Sequence, residues 1–455
     1  MSDFTSNDST SGFPSLGDAL AWLDSHQNME RMLAGSRAER VPDLSRMAAL
    51  VDALGHPERT APVIHVTGTN GKTSTARCLT SLLTAKGLRV GTFTSPHLAQ
   101  LNERIAADGE PIDDRSLLAA LGLVAAVEPL IAGAGSGPSR SGPTWFEIMT
   151  AAAFVYFSDR PVDVMVLEVG MGGRWDATNV ADASVSVVTN VGLDHVEFLG
   201  PTRAHVAAEK AGVIKPGSTL VLGETDPSLV PIFSAESPAS LWLAEREWAC
   251  YANQLAVGGR SLDLRTPGSS YEAVWLDLHG AHQGLNFAAA LAAAEAFFGA
   301  PIEDRLVREA AATVSSPGRL EIVGHDPLMV LDGAKNLEGA TAASAAVAEE
   351  FGADRSVVLV VGMLRGKSPE DMLRALGAPR ARMVVACPAP SPRAVPAEEV
   401  AAAARALGVP SVVTADSVPD ALSVASGAAT ADDLVLVTGS LYVVGAARAA
   451  LAVGA

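Results

Sequence analysis

Gly68, Gly71, Lys72 and Thr73 are spaced to hold a chain of phosphates. In Val63-Ile-His-Val-Thr-Gly-Thr-Asn-Gly-Lys-Thr-Ser-Thr75 an apolar run passes into a glycine-rich turn and then into a helical pattern. The two glycines let the backbone turn tightly with its N–H groups aimed inward. Lys72 offers a positive charge to β- and γ-phosphates, and Thr73 a hydroxyl to Mg²⁺ at a helix N-terminus whose dipole favours anions. Thr69, Asn70 and Ser74 complete the candidate nucleotide-binding stretch. A full Walker A sequence has a glycine where this chain has Val66, and the plainer alternative is an ordinary glycine turn between strand and helix.

Three further oxygen or nitrogen donors follow apolar runs and so belong at the same sheet edge. Glu168 ends one run and precedes Gly170-Met-Gly-Gly-Arg-Trp-Asp-Ala-Thr-Asn179, a second glycine-rich stretch that carries Arg174 and Asp176. A carboxylate at the C-terminal end of a parallel strand is well placed to bind Mg²⁺. His195, beside Asp194, follows the next run, and Ser95 in Thr94-Ser-Pro-His-Leu98 follows another. A lone histidine is more often a loop residue, but Asp194 beside it and the shared edge favour a ligand role for His195; for Ser95 a simple turn or helix cap is the plainer alternative.

Positioning these residues requires parallel strands alternating with helices. The sequence predicts strands at Val63 to Val66, Val90 to Thr94, Val164 to Val169, Ser184 to Thr189 and Thr219 to Gly223. Helices are predicted over Ala76 to Lys86, Trp145 to Phe157 and about Gln283 to Phe298. Ala132 to Pro143 is loop by composition. A second alternating series begins near Leu320, with strands at Leu328 to Leu331, Val357 to Val361, Met383 to Ala386, Ser411 to Thr414 and Leu434 to Val437. The expected fold is therefore α/β: an N-terminal phosphate-loop ATPase domain (1–314) with a mainly parallel sheet, and a smaller Rossmann-like C-terminal domain (315–455).

At 455 residues the chain fits two or three domains, and its net charge of −18 argues against nucleic acid or an anionic membrane as partner. An anionic substrate must then be met by locally concentrated Lys, Arg and Mg²⁺. No apolar run is long enough to span a bilayer, and Met1 to Ser15 is polar, so a cytoplasmic protein with a frayed N-terminus is expected. Cys78, Cys250 and Cys387 have no metal spacing and read as buried thiols in a reducing compartment.

Ten motifs in one order give the chain a relative. Thr67-Gly-Thr-Asn-Gly-Lys-Thr73, Thr94 to Leu98, Glu103-Arg-Ile105, Phe146-Glu147, Glu168 to Arg174 with Asp176 to Asn179, Leu193-Asp-His195 with Leu199-Gly200, Glu209 to Lys215, His282-Gln283 with Asn286, Pro317-Gly-Arg319 and Gly439-Ser440 resemble the folylpolyglutamate synthase and dihydrofolate synthase family of the Mur-ligase superfamily. The resemblance runs from about Leu16 to the C-terminus. It implies an ATP-dependent amide ligase: ATP phosphorylates a substrate carboxylate, and the amine of L-glutamate displaces the phosphate. By motif position, Lys72, Glu168, His195 and Lys210 are the expected catalytic groups. Thr73, Ser95, Glu168, His195 and Lys210 are expected to hold metal, two Mg²⁺ ions in all, with Lys210 carbamylated and a monovalent cation as a further helper. His282, Gln283 and Asn286 are expected at the nucleotide, Asn286 at adenine, while Arg319 and Asp332 reach phosphate and ribose when the domains close.

The same resemblance implies small-molecule partners only, dihydropteroate or folates together with L-glutamate, and a monomer. Phe146 and Arg104 are candidates for a pterin and aminobenzoate site. The chain departs from the family at Asp332-Gly-Ala-Lys-Asn-Leu337, where Lys335 stands for an expected histidine near the phosphates, and at Arg365-Gly-Lys-Ser368. A lysine still neutralises phosphate, so ligase chemistry survives the change. A bifunctional enzyme is the favoured expectation. The alternatives are a paralogue that joins an amino acid to another acid, and a non-catalytic nucleotide-binding regulator.

Overall fold

The computed structural model describes residues 12–28, 30, 43–131, 142–352 and 355–453. Seventeen strands form three sheets among the described residues. The first sheet contains β1 (Val63–Thr67), β2 (Val90–Phe93), β3 (Ile105–Ala107), β4 (Glu110–Pro111), β5 (Val164–Glu168), β6 (Ala183–Val188), β7 (Thr219–Leu222) and β8 (Ser240–Leu243). Its order is β4-β3-β2-β5-β1-β6-β7-β8, parallel from β2 to β8, with β3 and β4 added antiparallel at one edge.

The strands predicted from apolar runs are buried on both faces, which is why they read as runs rather than alternations. Val164 and Val166 pack against the helices Lys72–Ala85 and Ala281–Phe298, while Met165 and Leu167 pack against Trp145–Asp159 on the other face. Truncating a fully buried side chain such as Phe154 costs about 3–5 kcal/mol.

The second sheet, β9 (Ala249–Ala256), β10 (Gly259–Arg265) and β11 (Ser270–Leu276), is wholly antiparallel and has no counterpart in the predicted strands. Leu262, Leu264, Val274 and Leu276 point to the core beneath it, and the intervening residues face solvent. The third sheet holds β12 (Glu321–His325), β13 (Leu328–Leu331), β14 (Val357–Val361), β15 (Met383–Ala386), β16 (Ser411–Thr414) and β17 (Leu434–Thr438). Its order is β12-β13-β17-β14-β15-β16, parallel except for β12. All five strands predicted for this part are present, and β12 is an addition.

The helix after the phosphate loop starts at Lys72, a turn before its predicted start at Ala76, because Gly71 caps it in a left-handed conformation. Of the segment expected to fray, residues 1–11 lie outside the described residues, and Ser15 caps the helix Leu16–Asp24 by accepting from the Asp18 amide. Residues 132–141 of the glycine-rich loop also lie outside them. Cys78 and Cys387 are buried as expected, whereas Cys250 is only half-buried. No described helix is long and apolar enough to cross a membrane.

Candidate active site

The chain leaves β1 toward β2 on one side and reaches β6 on the other, so a crevice opens at the C-terminal ends of β1, β5 and β6. The phosphate loop occupies that edge. Gly68 (φ 153°) and Gly71 (φ 81°) have no room for side chains: an added Cβ would lie 1.8 Å from Thr189 Oγ1 and 2.3 Å from Asn286 Oδ1, respectively. The end of β6 braces the turn, since Thr189 Oγ1 and Asn190 Nδ2 donate to the Asn70 carbonyl (2.6 and 3.1 Å) and the Asn70 amide donates to Asn190 Oδ1 (3.0 Å). Thr69 Oγ1 donates to the Gly192 carbonyl (3.1 Å). Lys72 folds back across the loop, Nζ donating to the carbonyls of Gly68 (3.1 Å) and Thr69 (3.3 Å).

Glu168 gathers the neighbouring strand ends. Thr73 Oγ1 donates to its Oε1 (2.9 Å) and the Ser95 amide to its Oε2 (3.1 Å). Burial raises the pKa of this carboxyl, and Lys72, Ser95 and Thr73 oppose the rise. Thr73, Ser95 and Glu168 therefore converge. His195 has a left-handed backbone (φ 52°) and Nε2 lies 3.8 Å from Asp194 Oδ2. Its pKa is pushed down to about 3 by burial, with Lys335 adding to the shift and Asp194 opposing it. The imidazole is thus neutral at physiological pH, the form that ligates metal.

Lys210, on the helix Arg203–Ala211, is 3% exposed rather than a surface helix lysine. Burial carries its pKa well below the ordinary value, Lys72 and Lys335 push the same way, and Asp194 opposes. Lys335 is brought down to about 8 by burial, against Asp194 and with help from Lys72, Lys367 and Arg319. The site thus concentrates cations in a chain of net charge −18.

The nucleotide-side candidates share one helix turn. Asn286 Nδ2 donates to Gln283 Oε1 (2.9 Å), and Asn286 abuts Gly71. His282 is lowered to about 4 by burial, with Arg319 adding to it. Ser74 Oγ meets Ser316 Oγ at 3.0 Å, tying the phosphate-loop helix to the segment that carries Arg319.

From the other unit, Arg319 lines a pocket together with Thr73. Asp332 is buried and its oxygens accept from the amides of Leu320 (3.1 Å) and Ala334 (2.9 Å), which shapes the turn after β13. Arg104 differs from expectation. It is 1% exposed, paired through both terminal nitrogens with Glu30 (3.0 and 2.7 Å), and stacked 4.7 Å from the Trp145 ring. Arg174 and Asp176 are scaffold: Arg174 pairs with Glu236, and Asp176 accepts from the Met171 and Thr178 amides (3.0 and 3.1 Å).

Sequence reading missed the contacts that join the two units at this edge. Asn336 Nδ2 donates to Asn70 Oδ1 (2.9 Å), Asn70 Nδ2 to Glu338 Oε2 (3.1 Å), and Lys367 Nζ to Asp194 Oδ1 (2.5 Å). Two of their residues, Asn336 and Lys367, lie in the segments where the chain departs from the family pattern, Asp332 to Leu337 and Arg365 to Ser368.

The Thr73 hydroxyl and the Glu168 carboxylate bring together oxygens that suit a divalent cation, with Ser95 beside them through its amide and the neutral ring of His195 on the neighbouring loop. Among the described residues no cluster of three or more His, Cys, Asp or Glu could hold a metal alone, so such a cation would depend on hydroxyls and on nucleotide phosphates.

A phosphate-loop α/β unit facing a smaller α/β unit that supplies an arginine is the plan of the ATP-dependent Mur-type ligases. Residues 115–294 match the family model described as Mur ligase middle domain, and residues 318–441 the one described as Mur ligase, glutamate ligase domain. A dihydrofolate synthase/folylpolyglutamate synthase of Mycobacterium tuberculosis is 41% identical over 440 residues, covering 90% of this chain and 89% of that protein. One of Bacillus subtilis is 36% identical, covering 80% and 83%. Among solved structures, Mycobacterium tuberculosis folylpolyglutamate synthase complexed with ADP is similar with a TM-score of 0.88 at 39% identity, covering 96% of this chain and 98% of that one. E. coli FolC in complex with DHPP and ADP follows at a TM-score of 0.82 and 30% identity, covering 97% and 100%. The chain belongs to the dihydrofolate synthase/folylpolyglutamate synthase family, and is an ATP-dependent amide-forming ligase.

Proposed function

We propose that this chain joins L-glutamate both to dihydropteroate and to folates. A carboxylate is a poor electrophile, so ATP first converts it to an acyl phosphate. The glutamate amine then adds to that carbonyl, and the tetrahedral intermediate collapses to an amide and inorganic phosphate. Most of the acceleration comes from positioning and from neutralising charge.

The loop amides from Gly68 to Ser74 and the Lys72 ammonium cradle the phosphates, with Asn286, Gln283 and His282 at the base and Arg319 arriving from the second unit. Thr73, Ser95, Glu168, His195 and a carbamylated Lys210 would hold Mg²⁺, which when bound neutralises phosphate charge. The depressed pKa of Lys210 supports the carbamate, because only a neutral amine adds to CO₂. Residues 1–314 and 315–455 act as two domains that close over the acyl phosphate and exclude water. One chain supplies both walls of the pocket, which supports a monomer; a cytoplasmic enzyme is the matching location.

The observation that carries this reading is the convergence of Thr73, Ser95 and Glu168 beside a pocket that also includes Arg319. The test is phosphate release from ATP with Mg²⁺ and L-glutamate, offering dihydropteroate and tetrahydrofolate separately. Release with both is expected. Release with only one narrows the enzyme to that acid, and release with neither defeats the assignment.

A further inference from the structure

The three buried arginines among the described residues are all paired. Arg46 pairs with Glu147, Arg104 with Glu30, and Arg260 with Glu349 and Glu350. Two half-buried arginines in the pocket between the two units are left without such partners. The pocket is lined by Thr73, Arg77, Glu103, Pro317 and Arg319, and neither guanidinium donates a hydrogen bond or joins an ion pair among the described residues.

Arg77 lies one helical turn beyond Thr73 on the helix Lys72–Ala85, so both fall on one face. Burial pulls its pKa down, Glu103 and Glu168 oppose the shift, and Arg319 and Arg448 add to it. Those two acids are already engaged. Glu103 accepts from the amides of Leu98 (2.7 Å), Ala99 (3.0 Å) and Gln100 (2.9 Å), and Glu168 holds Thr73 and Ser95. A partly desolvated cation without an acceptor is unfavourable, and two facing one pocket repel each other as well. An oxyanion between them removes both costs. The planar fork of arginine matches the geometry of phosphate.

We propose that Arg77 and Arg319 form a subsite for a phosphate-sized oxyanion. Within the ligase reading, on which this rests, the occupant is the inorganic phosphate released as the amide forms. Because the arginines come from different units, the subsite is complete only while the units are apposed, and opening them frees the phosphate.

The test is equilibrium binding of radiolabelled inorganic phosphate to the ADP complex of the full chain, beside ADP affinity and unfolding temperature. Arg77→Gln is expected to weaken phosphate binding about 10- to 100-fold while ADP affinity stays within about twofold. Arg77→Lys keeps the charge, loses the fork, and should recover part of the affinity. Unchanged phosphate binding in Arg77→Gln overturns the proposal, as does an equal loss of ADP affinity. Should Arg77→Gln lower the unfolding temperature, wild-type phosphate affinity in a stable Arg77→Lys variant also overturns it, since charge alone would then suffice. The binding measurement involves no turnover, so failure of every acid to release phosphate would count against the ligase reading and leave this result to be judged on its own.

Discussion

Two of the polar seams between the units are built differently. At the start of the helix Ala281–Phe298, Arg260 is 1% exposed and saturated: it donates to the Asn253 carbonyl (3.0 Å), to Glu349 Oε1 (3.2 Å) and to Glu350 Oε1 (2.5 Å). Glu350 in turn accepts from the Gly280 amide (2.7 Å) and from His279 Nδ1 (2.9 Å). At the phosphate loop, Asn336 and Lys367 bridge to Asn70 and Asp194, while Arg77 and Arg319 have no hydrogen-bonding side-chain partner among the described residues. Saturation marks the seam that fixes orientation. Leftover charge marks the seam that awaits anions.

The largest effect should come from opening the saturated seam. Arg260→Met leaves the buried Glu350 carboxylate without its cation, and breaking a buried pair from one side costs about 3–5 kcal/mol. Urea unfolding is the measurement. The pair Arg260→Met with Glu350→Leu should recover much of the loss; a single variant as stable as wild type would reduce this seam to a surface contact.

At the unsaturated seam the loss should fall on turnover instead. Arg319→Ala removes a charge that matters as phosphate charge develops, so turnover should drop by about 10²–10³, with nucleotide affinity changed far less. Equal losses in kcat and ATP affinity would show that Arg319 binds nucleotide uniformly.

Lys335 adds a pH signature to that seam. Its folded pKa of about 8 lies below the ordinary 10.5, so the unfolded chain holds the proton more tightly across that interval. Stability should therefore rise as pH climbs from 8 toward 10.5, the charge having been unfavourable in the fold. Activity should move the other way. Above about pH 8 the amine no longer neutralises an anion, and kcat/KM should fall about tenfold per pH unit. Lys335→Arg should remove that limb; a profile unchanged by this variant would assign the titration elsewhere.

How much of this was legible in the sequence follows from burial. Parallel strands buried on both faces announce themselves as apolar runs, and so do their carboxyl ends, which is why Glu168 could be placed at the edge beside Ser95 and His195. The antiparallel sheet β9–β11 shows solvent on one face, and β11 places two consecutive residues, Glu272 and Ala273, outward where its register with β10 shifts, so its alternation is broken there. Its Arg260 seam was invisible for a further reason: the partner lies 90 positions away. Asp332 and Arg104 show the limit of motif transfer. Their types fit a ligand role, yet Arg104 is engaged by Glu30, 74 positions away, and Asp332 by the Leu320 and Ala334 amides.

The smallest effect separates two jobs held by one side chain. Asn336 caps the helix Leu337–Glu350, its Oδ1 accepting from the Gly339 amide (2.9 Å), while its Nδ2 bridges to Asn70. Asn336→Ala removes both and should cost about 1 kcal/mol of stability, the usual value of a cap. Asn336→Ser keeps a capping oxygen but is too short to reach Asn70, so it should unfold at nearly the wild-type temperature. If the bridge helps apposition of the units, both variants should raise the KM for ATP by a similar few-fold, whatever their stability. A KM that instead tracks unfolding temperature across the two would mean that Asn336 acts only as a cap, and that the phosphate-loop seam is held by other contacts, Lys367 with Asp194 and Asn70 with Glu338 among them.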